Sequence, residues 1–505
     1  MRRLGRQSSR LLTVGGSILS AFIVAMLPAH SEPVTDAAIA AAVEREYFRD
    51  AAVTRRNTEI TVRDGVVMLE GEVSSLAARQ QAEDIAGIVR GVRSVINRLR
   101  LAPTVRSGAA IERDVEDALG VDPVAELYEI DVEALANNEV LLRGRVESWA
   151  EREEIENAVK TVPGVMSIRN ELDVAYTTNV PRGQAEIAEE IESRFRWDVR
   201  VDDSLINVLV LDGSRVVLSG TVGSLAEKRH AERLAHVAGV ADVLSTQLSV
   251  EPWARNEALR RDISRPQTTD AAIAAALTTT LRYDPRVAAE NVSVSTRDRQ
   301  VVLSGDVVTI LARRAAEEDA WNTYGVNAVR NDLLVVGGVR DDATIERLIT
   351  NALRAYGLIE GNDIEVTATN GNVRLSGDVR NAYGHWRAEQ IASAVQGVRV
   401  IDNEVTVNGR EPTFLTRIYQ FDPQADRFVS VTEEDLKSDR EIYDDVASEL
   451  FWSPFVDSDS IEIDVEGGVV TLTGHVDSAR EYVAARENAF EGGALVVHNE
   501  LTLAN

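Results

Sequence analysis

The sequence contains no cysteine. That excludes disulfides, thiolate chemistry of any kind and a lipid anchor on a cysteine. Aromatic residues make up only 5% of the 505 positions, and 54 basic residues face 82 acidic ones. The resulting formal charge of −28 repels polyphosphate, so nucleic acid is excluded as a partner class. Catalytic signatures are also missing. There is no HExxH, P-loop, G-x-S-x-G, S-x-x-K or dinucleotide fingerprint. Histidine is scarce: beyond residue 31 there are only His230, His236, His385, His475 and His498, with no metal-ligand spacing among them. His230 and His236 stand six apart on an expected helix and point in different directions. Asp457-Ser458-Asp459 lacks the glycine and distal glutamate of a calcium loop and reads as an ordinary turn. Acidic runs such as Glu151, Glu153, Glu154 and Glu156 read as solvated helix faces. No cofactor, metal or small-molecule substrate is expected, and the chain reads as a binder or scaffold, not an enzyme.

Long apolar runs are absent except at the start. Arg2, Arg3, Arg6 and Arg10 precede an apolar stretch from Leu11 to Leu27, and Ala29-His30-Ser31 offers small residues for cleavage. This predicts a Sec-type signal peptide over residues 1–31, with an uncleaved inner-membrane anchor as the alternative. The mature chain is then expected in the periplasm, free or peripheral to a membrane, with a charge near −32 once four arginines are lost. With 44% hydrophobic and 27% charged residues it has ample apolar content for folded cores.

What the sequence does contain is repetition. Thr35–Ala42 (TDAAIAAA) recurs unchanged at Thr269–Ala276. A short apolar run ending in Leu-x-Gly-x-Val occurs six times, with its glycine at Gly71, Gly144, Gly220, Gly305, Gly377 and Gly474. Alternation puts Val67, Leu69, Gly71 and Val73 on one face of a strand. A glycine on that face marks a bulge or a close approach, here expected of the following helix. Four residues later stands a helix N-cap in every copy: Ser75, Ser148, Ser224, Thr309, Asn381 and Ser478. Glu151, Glu227 and Glu481 would complete capping boxes. The helix is expected to end on a C′ glycine, at Gly91, Gly164, Gly239, Gly325, Gly397 and Gly493. A strand follows, carrying Asn97, Asn170, Asn331, Asn403 or Asn499, with Ser245 out of step by one residue in the third copy. These asparagines read as local backbone ties. An amphipathic helix and a first strand precede each block, as in Ala37–Phe48 and Glu59–Arg63.

The order helix, strand, strand, helix, strand resembles the BON domain, named for bacterial osmotically inducible and nodulation proteins. The resemblance rests on the strand block Gly371 to Val379 (GNVRLSGDV) and on Gly91 to Leu99 (GVRSVINRL), and it covers about four-fifths of the chain. The expected fold class is α+β: a tandem array of six αββαβ modules, each a three-stranded sheet on two helices. The expected bounds are 35–106, 109–176, 183–251, 268–337, 341–409 and 439–505, with a linker over 410–438.

The resemblance implies a role in envelope integrity under osmotic stress and contact with phospholipid membranes. Arg90, Arg93, Arg98 and Arg100 of the first module form a candidate patch for anionic lipid. The alternative is a protein-interaction array or chaperone-like binder that engages envelope proteins by avidity. Its contact region would be the sixth module, with 15 acids against three arginines, and the linker before it, which carries Phe414, Ile418, Tyr419, Phe421 and Phe428.

Overall fold

The computed structural model describes residues 34–49, 58–102, 106–175, 182–212, 215–255, 268–287, 289–338, 340–355, 364–379, 382–407, 420–422, 427–429, 437–453, 455–494 and 496–503. The expected signal peptide, the cap Asn381 and most of the 410–438 linker lie outside these residues.

The first module consists of α1 (Asp36–Arg49), β1 (Thr58–Arg63), β2 (Val66–Val73), α2 (Leu76–Ile88) and β3 (Ser94–Leu101). Its sheet has the order β1-β2-β3, with β2 antiparallel to β1 and parallel to β3. The second module has α3 (Gly108–Leu119), β4 (Ile130–Ala134), β5 (Glu139–Val146), α4 (Trp149–Lys160) and β6 (Ser167–Val174). The third has α5 (Gln184–Trp197), β7 (Ile206–Leu211), β8 (Arg215–Val222), α6 (Leu225–Leu234) and β9 (Asp242–Val250). The fourth has α7 (Asp270–Tyr283), β10 (Val292–Arg297), β11 (Gln300–Val307), α8 (Ile310–Trp321) and β12 (Ala328–Val335). The fifth has α9 (Asp342–Ala355), β13 (Glu365–Thr369), β14 (Asn372–Val379), α10 (Ala382–Ala394) and β15 (Val400–Val407). A short hairpin, β16 (Gln420–Asp422) with β17 (Arg427–Val429), stands in the linker. The sixth module has α11 (Asp439–Trp452), β18 (Ile461–Glu466), β19 (Val469–Val476) and α12 (Ala479–Glu491), and its last strand is split into β20 (Val496–Asn499) and β21 (Thr502–Leu503). The α+β class and the six-fold repeat agree with the sequence pattern.

Each core lies between the sheet and its two helices. The motif leucines Leu69, Leu142, Leu218, Leu303, Leu375 and Leu472 are all fully buried at the centre of their sheets. Each contributes about 2 kcal/mol of apolar burial. In the second module Ile111 and Val115 of α3 and Ile155 and Val159 of α4 close the same core from the helical side.

Three local expectations need correction. The strand glycine does not admit the helix. A Cβ at Gly305 would stand 2.0 Å from the carbonyl oxygen of Asn291, the residue just before β10, and φ there is +116°. The glycine instead lets the entry to the first strand cross close beneath the central strand. In five modules the helix stops before the second glycine, which takes the third position of a tight turn. In the first module the Val92 N–H reaches back to the Val89 carbonyl, with Gly91 at φ +89°. That is the positive-φ site of a type II turn. Only Gly493 is a C′ residue, in a Schellman arrangement where the N–H of Ala494 reaches the Ala489 carbonyl and that of Gly493 reaches Phe490. All twelve motif glycines have positive φ.

The third correction concerns the capping boxes. Ser148 and Glu151 form one. Glu227 and Glu481 reach further: Glu227 accepts from Gly223 and Asp202, and Glu481 from Asp477 and Asp457. Each ties the start of the second helix to the loop leading into the first strand. The duplicated octapeptide has a related role, since Asp36 and Asp270 open their helices and bind the paired N–H groups of the β-hairpin turn. Asp342 and Asp439 do the same in the fifth and sixth modules.

Candidate functional site

The modules dock through their helices. Contacts run α2 to α4, α3 to α9, α10 to α8, α7 to α5 and α6 to α2, so modules one, two, five, four and three close a circuit. Val121 at the end of α3 is buried in the core of the fifth module, and Trp197 at the end of α5 packs on that of the fourth. Trp149 of the second module donates its indole N–H to the Val240 carbonyl of the third, 3.0 Å away. Arg229 of α6 holds Glu83 and Asp84 of α2 at 2.5 Å each. The sixth module meets the first, where Arg45 donates to Ser448 at 2.6 Å.

The candidate lipid arginines are divided by this packing. Arg90 lies over the Phe451 ring at 4.3 Å and donates to the Phe451 carbonyl. Arg93 pairs with Glu251 of the third module at 2.7 Å. Arg98 and Arg100 are exposed on the outward face of β3, with Arg98 paired to Glu70 at 3.2 Å. Two of the four therefore hold modules together and two face solvent.

The outward faces of the sheets are mostly ladders of opposite charge. Arg143 lies between Glu133 and Glu171, and Arg374 beside Asp402 and Glu404. The third module departs from this. Register sets Leu209, Val217 and Leu244 in one row across its three strands. Leu209 is 56% exposed, and Leu211 and Leu244 are also open to solvent. The corresponding row is Thr61, Met68 and Ile96 in the first module and Thr367, Arg374 and Asp402 in the fifth.

The repeated asparagines are backbone ties. Asn331 donates to the Arg313 carbonyl at 2.9 Å and to Glu317 at 3.0 Å, and accepts from Leu333. Asn97, Asn170, Asn403 and Asn499 donate to the second helix in the same way. In the third module a bulge between Val217 and Ser219 shifts the register, and Ser245 reaches Glu232 instead.

Two polar sites were not anticipated. One joins the third and fourth modules. There Asp198 binds Arg200 through both carboxylate oxygens and His230 through one, and Arg200 also acts on Asp319 of α8. The motif Asp198-Val199-Arg200 recurs as Asp284-Pro285-Arg286, which was its visible signal. Although burial opposes ionisation of Asp198, Arg200 and His230 hold its carboxyl far below the usual range. Burial lowers the His230 imidazole, and burial beside Asp284 raises Asp319.

The other is a cavity of about 280 Å³ inside the circuit, lined from four modules. Val121, Leu311, Ile391 and Ala394 supply apolar wall, and Asp84, Asp122, Glu154, Lys160 and Arg387 supply charge. Glu154 thus lines this cavity, where the sequence suggested a solvated face. Burial, reinforced by Asp122, pushes its carboxyl up to about 7.

The fold and its docking define a class: a tandem-repeat α+β protein whose modules pack helix to helix and turn their sheets outward. The BON domain family model matches residues 35–103, 107–176, 183–252, 269–337, 341–409 and 438–505. The chain belongs to the BON domain family. It is 31% identical over 143 residues to osmotically-inducible protein Y of Escherichia coli (strain K12), an alignment covering 27% of this chain and 71% of that protein. Two structures of CdsD, a structural protein of the type III secretion system of Chlamydia trachomatis, align over 45% of this chain. One of them is a C-terminal domain and is 99% covered. Both have 16% identity and a TM-score of 0.12, too low to carry a structural argument.

Proposed function

We propose that the chain is a non-catalytic periplasmic scaffold of the cell envelope that contacts phospholipid membranes and supports envelope integrity under osmotic stress. Family membership and the likeness to osmotically-inducible protein Y support the osmotic and envelope part of this reading. The observation that carries membrane contact is the outward aliphatic row of the third module. Leu209, Leu211 and Leu244 spend apolar area on solvent although helix docking has covered the helical faces. Inserted at a headgroup boundary, such side chains recover part of their burial energy, and Arg98 and Arg100 of the first module add attraction to anionic lipid.

Flotation of the full chain with anionic phospholipid vesicles tests this. Replacing Leu209, Leu211 and Leu244 together by serine is expected to weaken binding about tenfold or more. Replacing Arg98 and Arg100 by alanine is expected to cost about fivefold per residue. Equal binding by wild type and both variants overturns the reading. Absence of vesicle binding by the wild type does so as well, and leaves protein partners engaged by avidity.

A further inference from the structure

The charged groups around the inter-module cavity are unequally matched. Asp84 is held by Arg229 at 2.5 Å, Lys160 by Glu156 at 3.0 Å, and Arg387 donates to Gln390 at 2.8 Å. Asp122 spends one carboxylate oxygen on the N–H groups of Val124 and Ala125, at 3.0 and 2.8 Å. Glu154 has no hydrogen bond or ion pair among the described residues, although it is partly buried and lines the cavity. An unmatched carboxylate in such a place is costly unless a cation meets it.

What kind of cation follows from the walls. Among the described residues no group of three or more His, Asp or Glu side chains is placed to hold a metal ion. The apolar surface of Val121, Leu311, Ile391 and Ala394 suits methylene groups instead. A volume of about 280 Å³ stands at the low end of small-molecule sites. We propose that this cavity binds a small aliphatic polyamine, with ammonium groups against Glu154 and Asp122 and its methylene chain along Val121 and Ile391. Because the walls come from modules one, two, four and five, such a ligand would join modules that the sequence leaves as separate units.

The charged groups acting most on Glu154 are Asp122 and Glu153 of its own module, and Asp284 and Arg286 of the fourth, while Asp84, Lys160 and Arg387 share the cavity wall with it. Burial and Asp122 raise its carboxyl, and Arg286 opposes them. Polyamine binding is therefore expected to tighten as pH rises through neutrality and Glu154 ionises.

Calorimetric titration of the full chain with spermidine, in about 0.15 M salt at pH 8, is the test. The expected result is one saturable site, weakened about tenfold or more by Glu154→Gln, the scale of a lost charge-assisted hydrogen bond. Ala394→Phe fills the cavity without changing charge and is expected to weaken binding as much. A drop in affinity at pH 5.5 is the third expected result. Binding that ignores both substitutions is diffuse attraction to an acidic chain and overturns the proposal, as does the absence of saturable binding at millimolar spermidine. If Ala394→Phe loses its native circular dichroism, Glu154→Gln decides alone, because it removes a partly buried charge and keeps the side-chain volume.

Discussion

The Nε2 atom of His230 lies 2.8 Å from a carboxylate oxygen of Asp198, and both side chains are buried. The other ring nitrogen faces the Arg233 guanidinium, which can only donate. The imidazole is therefore neutral, with its proton on Nε2 directed at Asp198. Asp198 also receives two guanidinium bonds from Arg200, and next to it the chain crosses to the fourth module: the Val199 N–H meets the Asn322 carbonyl and the Tyr324 N–H meets Trp197. Asp198 holds a backbone junction between modules. Asp198→Asn leaves Arg200 without its counter-charge in a buried site, and is expected to cost about 3 kcal/mol. Urea unfolding measures it, and an unchanged midpoint refutes this role for the carboxylate.

Gly305 permits a carbonyl to pass where any side chain would collide. The Cβ of Gly305→Ala would need to displace the Asn291 oxygen from 2.0 Å, at a backbone φ that alanine rarely adopts. The variant is expected to lose about 3 kcal/mol or more, through strain and disrupted pairing of β10 with β11. Gly183 supplies the comparison. It caps α5 with extended backbone, and no atom lies within 4 Å of an added Cβ. Gly183→Ala is expected to cost under about 1 kcal/mol. Thermal unfolding of the two variants side by side checks the contrast.

The module was legible because its signals are local and repeated. A leucine two residues before a glycine marks the strand face in all six copies, and a cap four residues after it and an asparagine further on mark the helix start and the final strand in most of them. The docking of modules rests on residues that are not repeated. Val121 fills the fifth module's core and Arg229 crosses to α2, but no periodicity singles out either one. The placement of Glu154 was misread for the same reason: helical spacing gives a face, and only the neighbouring modules decide whether that face meets water. The exact use of the two glycine sets also depends on a carbonyl at the entry to the preceding strand or on a turn type, neither of which composition reveals.

Asn331 joins the last strand of its module to the second helix by two hydrogen bonds, and accepts a third from the Leu333 N–H of its own strand. Asn331→Ala leaves the Leu333 N–H of β12 and the Arg313 carbonyl of α8 without this partner. The expected loss is about 1–2 kcal/mol, with faster amide exchange along β12. Exchange unchanged at Leu333 would remove the asparagine from the tie between strand and helix.

Glu154 gives the stability a pH dependence of definite sign. Its carboxyl is raised on folding from an ordinary value near 4.5 to about 7, chiefly by burial and next by Asp122. Below the ordinary value the group is protonated in folded and unfolded chains alike, and its burial carries no ionisation cost. As pH rises toward 7 the unfolded chain ionises first, so the folded state loses stability, and above 7 the loss is complete. Partial contact with solvent reduces that loss to about 2 kcal/mol. Glu154→Gln removes the ionisable group and keeps its volume. The variant is expected to unfold at the same denaturant concentration as wild type near pH 4.5, and at a higher one at pH 8. A difference that is equal at both pH values would mean that Glu154 acts through its shape, and that its ionisation does not differ between the folded and unfolded chains.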